Sequence, residues 1–136
     1  MEVKMEYKNP EIEIAQLAKK YLDERFKRNE KLKSDFSGFM KGLPSNIIQN
    51  GLVQTVAFIK GKKSDAKYKN LYDMLIQFFK DYFAQTVDDP LDFLVDNNDI
   101  QTYLYYQQKI LSFTIWLKRF VLAFYETEKS NITENA

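Results

Sequence analysis

The chain contains no cysteine and no histidine. Disulfides are therefore impossible, as fits a reducing compartment, and the common tetrahedral zinc sites are excluded with the rest of Cys and His chemistry. Glycine and proline are scarce, at four and three residues of 136, so each marks a place where a helix starts, stops or is closely approached. No apolar run nears the ~20 residues needed to span a bilayer. The opening MEVKMEYKNPE lacks the hydrophobic stretch of a secretion signal, and a cytoplasmic location is expected. Neither an internal repeat nor the two-residue alternation of a half-buried strand occurs.

What the chain does have is apolar and aromatic side chains, 45% and 15% of its residues, enough for one core in a single domain spanning 1–136 with flexible ends at 1–9 and 128–136. Net charge is only +1, yet the charges are segregated. Residues 19–69 hold thirteen Lys and Arg against five Asp and Glu, a balance of +8, whereas residues 70–99 hold one Lys against seven Asp, a balance of −6. Such a bipolar chain can meet a polyanion on one side and the basic side of a neighbour on the other; a plain solvated surface is the alternative.

The organising stretch is residues 43–63, LPSNIIQNGLVQTVAFIKGKK, read as one helix opened by Pro44. On a helical wheel Ile47, Ile48, Gly51, Leu52, Thr55, Val56, Phe58 and Ile59 share one arc, which is expected to be core. Asn46, Gln49, Asn50, Gln54 and Lys60 lie opposite, with Val53 and Ala57 among them. A merely solvated face is usually mixed Lys and Glu, so this amide-rich arc reads as a face for a partner. Gly51, in the middle of the apolar arc, implies that another helix backbone crosses closely there.

Within this stretch stand Asn50-Gly51-Leu52, Gln54-Thr55, Ala57-Phe58 and Lys60, preceded by Leu43-Pro44 and followed much later by Trp116-Leu117-Lys118-Arg119-Phe120. In residues, order and separation these two segments resemble the signature segments of the small subunit of the Cmr (type III-B CRISPR) RNA-guided interference complex. The resemblance runs from the first helix to about residue 126; Val56 and Ile59 stand where Leu is commoner, and Val121 where Ala is common. It implies a helical bundle without catalysis or cofactor of its own. The partners it implies are other Cmr-complex subunits, guide RNA and target RNA as single strand or duplex, and further copies of the chain stacked beside the backbone subunits, with no membrane.

Taken in order, the first helix opens at Asn9, with Pro10 at its first position and Glu11 and Glu13 in the first turn. Ile14, Leu17, Tyr21, Leu22 and Phe26 form an inward stripe, and Lys19, Lys20, Arg25, Lys27, Arg28, Lys31 and Lys33 populate much of the rest, either solvated or contacting phosphates. A short connector helix from 34 or 35 to about 40 presents Phe36, Phe39 and Met40 and stops at Gly42. After Lys60, the segment GKKSDAK combines a glycine stop, a basic cluster and a cap at Ser64 or Asp65. It is not a P-loop, because the earlier glycine and the Ser or Thr directly after the Lys are missing.

Residues 66–85 carry Tyr68, Leu71, Tyr72, Leu75, Ile76, Phe79, Tyr82 and Phe83 at helical spacing, a packing face in preference to a base-stacking one. Asp88, Asp89, Asp92, Asp96 and Asp99 invite a magnesium or calcium site, but the turn glycine and terminal Glu of a calcium loop are absent. Asp89-Pro90 reads instead as the cap and first position of a short helix, and residues 97–99 as the cap of the next. The last helix, about 100–126, shows one stripe of Ile110, Phe113, Leu117, Phe120, Val121 and Phe124 and a second of Leu111, Ile115 and Leu122, with Lys118 and Arg119 in the gaps. A helix apolar nearly all round is either central in its bundle or covered by a neighbouring protein. Asn131-Ile132-Thr133 spells a glycosylation sequon without meaning in the cytosol.

The fold expected is all-α, a compact bundle of five to six helices in one domain. The expected function is that of a non-catalytic assembly subunit. Its basic residues Lys19, Lys20, Arg25, Lys60, Lys62, Lys63, Lys118 and Arg119 help hold RNA, while Asn46, Gln49, Asn50, Gln54, Leu111, Ile115 and Leu122 meet neighbouring subunits. A helical adaptor that binds only protein is the alternative, and a hydrolase built on the Asp cluster a distant third.

Overall fold

The computed structural model describes residues 8–27 and 29–125. Arg28, the sequon at 131–133 and nearly all of the ends read as flexible lie outside the described residues. The elements are α1 (Pro10–Phe26), α2 (Glu30–Met40), α3 (Leu43–Asn50), α4 (Leu52–Gly61), α5 (Ala66–Phe83), α6 (Pro90–Asp96) and α7 (Ile100–Phe120), which runs into a π-helical turn, Val121–Tyr125. The all-α class holds, with no strand among the described residues.

Short polar side chains set the helix starts. Asn9 accepts from the Glu11 N–H at 3.0 Å, Asp65 from Lys67 at 3.2 Å, Asp89 from Leu91 at 3.2 Å and Asp99 from Thr102 at 3.1 Å, each satisfying a donor that the first turn leaves unpaired. One start differs from the sequence reading. Asn29 accepts from the Leu32 N–H at 3.0 Å, so α2 begins at Glu30 and not at 34 or 35. An asparagine oxygen in reach of the N3 donor begins the helix before Ser34 is reached.

Aromatic pairs give the helix directions. Phe78 stacks on Phe113 with centroids 4.3 Å apart, and Phe83 meets Tyr106 edge-on at 4.7 Å, so α5 and α7 run antiparallel. Tyr21 bonds Asp81 and Arg25 bonds Gln77, each at 2.5 Å, so α1 is antiparallel to α5 as well. Tyr21 also meets Phe113 edge-on at 5.9 Å, so α7 packs against both. Helix α7 buries one face, that of Tyr106, Ile110, Phe113, Thr114 and Leu117, whereas Leu111 and Ile115 of its second apolar stripe are only half-buried.

The stretch 43–63 is not one helix. It breaks at Gly51, whose backbone lies at φ 85° and ψ 163°, a region that only glycine enters without strain. Helix α3 ends with the Gly51 N–H on the Ile47 carbonyl at 2.8 Å, and α4 restarts with the Gly51 carbonyl accepting from Thr55 N–H at 3.2 Å. Glycine has no side chain to cap the new start, so α7 supplies two. Gln107 Oε1 accepts from the Leu52 N–H at 3.0 Å, and the Tyr103 hydroxyl accepts from the Val53 N–H at 3.2 Å. A crossing helix is present as expected, but side chains and not backbone meet Gly51: a Cβ there would lie 3.6 Å from the Tyr103 hydroxyl.

The break re-aims α4 relative to α3. Ile47, Leu52, Thr55, Val56 and Ile59 are buried, whereas Ile48 and Phe58, assigned to the same apolar arc, are 68% and 51% exposed. The last helix also departs from its reading, leaving α-helical geometry after Phe120.

Gly51→Ala separates the two geometries by sign. In a continuous helix it would stabilise by about 1 kcal/mol, whereas at this φ and ψ it is expected to destabilise by about 1–3 kcal/mol. The denaturant midpoint of the full chain reads the difference.

Candidate nucleic-acid and subunit interface

The cations expected to meet RNA fall into three situations. Arg25 is turned inward. Half-buried on α1, it donates to Gln77 Oε1 at 2.5 Å and to the Tyr21 carbonyl at 3.4 Å, and burial pulls its guanidinium below its ordinary pKa against the charges of Asp73 and Glu24. Lys19 and Lys60 are paired. Lys19 Nζ lies 2.9 Å from Asp23 and 5.5 Å from the centre of the Phe124 ring, which brings it beside the end of α7. Lys60 Nζ donates to Asp89.

The remaining cations carry no carboxylate partner among the described residues. Lys20 is exposed on α1, Arg119 is exposed near the end of α7, and Lys118 is half-buried beside it. Lys62 and Lys63 stand in the tight turn between α4 and α5, their ammonium groups over aromatic rings: Lys62 is 5.7 Å from the Phe58 centroid and Lys63 is 4.8 Å from that of Tyr72. A ring face attracts and orients a cation without neutralising it. Lys62 and Lys63 therefore form one group, and Lys19 with the α7 end forms another.

Asp89 is the junction that the sequence concealed. Its carboxylate caps α6 while accepting from Lys60, from the Tyr72 hydroxyl and from the Leu91 N–H. Partial burial pushes the Asp89 carboxyl up, but the hydrogen bonds from Lys60, Tyr72 and Leu91 outweigh it and hold the group below the usual carboxylate range. Burial and the bond to Asp89 push the Tyr72 hydroxyl far above its ordinary value, so it stays a donor. The cap was legible in Asp89-Pro90; the partners were not, because Lys60 and Tyr72 are 29 and 17 residues away and meet it only through packing of α4, α5 and α6.

Two depressions hold the residues expected to face neighbours. One, of about 500 Å³, runs along α7 and is lined by Leu111, Ile115, Trp116, Gln108 and Arg119, with Glu11 of α1 on its rim. It gathers two members of the second apolar stripe; the third, Leu122, is 38% exposed in the π-turn. The other, of about 380 Å³, is lined by Asn46, Asn50, Gln54, Thr55 and Phe58. Gln49 is exposed on α3 outside that lining. Sequence reasoning missed Phe58 here because the uninterrupted wheel placed it inside. Among the described residues no three acidic groups converge as a metal site requires, and no helix is long and apolar enough to cross a membrane.

The Asp89 junction carries a pH signature. A carboxyl held low in the folded state contributes stability above its unfolded pKa and loses it as pH falls through the folded value. Asp89→Asn is expected to lower the denaturant midpoint at neutral pH, and the gap from wild type should close below about pH 4 as Asp89 itself takes up a proton. A gap that stays constant with pH would place the effect in the cap and not in the charge.

Comparison with known proteins covers the whole bundle. Residues 11–124, from the first turn of α1 into the π-turn, match the family model described as CRISPR-associated protein (Cas_Cmr5). The chain is also 32% identical over 118 residues to the CRISPR system Cmr subunit Cmr5 of Thermotoga maritima, an overlap of 85% of this chain and 84% of that one. The residues of both signature segments, those flanking the Gly51 break and those ending α7, fall inside the family match, and on that match the chain belongs to the Cas_Cmr5 family.

Proposed function

We propose that this chain is a non-catalytic subunit of a Cmr ribonucleoprotein complex, stacked in several copies along the assembly and holding guide RNA, target RNA or their duplex through phosphate contacts. The observation that carries the RNA contact is the turn between α4 and α5, where Lys62 and Lys63 are oriented by ring faces yet left without a carboxylate partner. Phosphate binding needs cations in place but no base-reading motif, since pairing between guide and target supplies sequence specificity. Lys20 on α1 and Lys118 and Arg119 on α7 add further cations without a carboxylate partner among the described residues. The α7 depression, apolar at Leu111, Ile115 and Trp116 and rimmed by charge at Glu11 and Arg119, suits a neighbouring subunit.

A second reading, an adaptor that binds protein alone, draws on the pairing of Lys19 with Asp23 and Lys60 with Asp89, which leaves fewer unpaired cations than the sequence count implies. One reconstitution separates them. The Cmr complex is assembled with the wild-type chain, without it, and with Lys62→Glu plus Lys63→Glu, and binding of a matched target RNA is measured at two salt concentrations. Phosphate contact predicts weaker binding and a log–log salt slope shallower by ~0.7 for each phosphate no longer neutralised. Unchanged affinity and slope, with the variant still assembled, would hand the function to the adaptor reading.

A further inference from the structure

The depression at the α3–α4 break is polar in an unusual way. Asn46, Asn50 and Gln54 are exposed, and none of their side-chain amides hydrogen-bonds to another described residue. The Thr55 hydroxyl is already engaged with the Gly51 carbonyl at 2.9 Å, so the open hydrogen-bonding capacity belongs to the three amides. At the other end stands the Phe58 ring, half exposed although its neighbours Val56 and Ile59 are buried, with the Lys62 ammonium 5.7 Å from its centroid.

A primary amide presents donors and an acceptor side by side, the complement of a nucleobase edge. An exposed aromatic ring offers a stacking face to a base taken out of a helix, and single-stranded RNA is recognised by that combination. A lysine beside the ring supplies the charge for the phosphate that accompanies the base. A protein neighbour would also use the amides, but it has no need of a flat ring and a cation arranged in that order.

We propose that this depression is a binding site for a single unpaired RNA nucleotide, with Phe58 stacking on the base, Asn46, Asn50 and Gln54 bonding its edge, and Lys62 meeting the phosphate. The inference rests on the proposed role in holding RNA and adds a base contact to it. Because the amide groups can turn to present either a donor or an acceptor, the site tolerates more than one base. Its volume of about 380 Å³ lies within the ordinary range for small-ligand sites.

The test uses the full chain, isotope-labelled, and two probes: adenosine 5′-monophosphate and ribose 5-phosphate. The nucleotide is expected to move the side-chain amide signals of Asn46, Asn50 and Gln54 in NMR spectra, and the sugar phosphate is not. Phe58→Leu, which keeps an apolar group beside Tyr68 but removes the ring, should weaken nucleotide binding ~5-fold or more. Asn50→Ala with Gln54→Ala, both on the surface, is the second variant and should weaken it without altering the thermal midpoint. Equal shifts from both probes, or shifts confined to Lys62 and Lys63, would overturn the base site and leave phosphate contact standing. No shift from either probe would overturn it too, with the RNA-holding role judged independently by the salt slope of the assembled complex. Amides that ignore the nucleotide but become covered when the complex is assembled would make the face a protein interface and sink the inference.

Discussion

A single backbone conformation governs the surface of this protein. With Gly51 at a φ and ψ closed to other residues, the chain between α3 and α4 turns without a loop, and two main-chain donors at the new helix start are left to find partners. Gln107 and Tyr103 of α7 provide them. Helix α7 is thereby tied to the break at its own first half, while its second half packs its buried stripe against α1 and α5. One constraint therefore places the core, the amide-lined depression and the exposed Phe58 relative to one another. A continuous helix would have turned Phe58 toward the core with the rest of its arc.

Charge follows a similar logic. The sequence divides into a basic stretch and an acidic one, but the fold does not keep them apart. Asp89 from the acidic segment reaches Lys60 at the end of α4 and Tyr72 on α5, and the same carboxylate starts α6. That junction joins three helices through one buried-edge acceptor, which is where carboxylates with several donors are most effective. It also changes the inventory of free cations: Lys60 is held, and Lys62 and Lys63 in the following turn are oriented by aromatic rings. A basic turn with its first lysine anchored and its next two exposed is a defined feature, unlike a charge count.

In the aspartate-rich segment, two of the five carboxylates serve as helix caps, Asp89 on α6 and Asp99 on α7. Capping needs one oxygen near one N–H and nothing else, so a run of Asp and Asn between helices satisfies it readily. The role these two carboxylates display is that of starting helices.

By itself the sequence determined the helical class, most helix starts and part of the aromatic core, with Phe78 missed and Phe124 wrongly placed inside, because these rest on local rules: a cap within three residues, proline at a first turn, apolar residues at helical spacing. Asn9 and Asp89 were readable in that way, and Asp65 and Asp99 to within a residue or two; whether the second stripe of α7 is covered by its own bundle was not, and the fold leaves Leu111 and Ile115 half-buried. The signature residues around Gly51 were equally plain and led to the family. Only the tertiary structure decided that Gly51 breaks the helix, since a glycine at that place is compatible with a close crossing or with a positive φ, and nothing within a few residues distinguishes them. It alone decided that Arg25 points inward, that Lys60 is paired and that Phe58 is outside. Each of these depends on a partner fifty, twenty-nine or more residues distant, or on a change of helix direction that a wheel drawn through Gly51 cannot register.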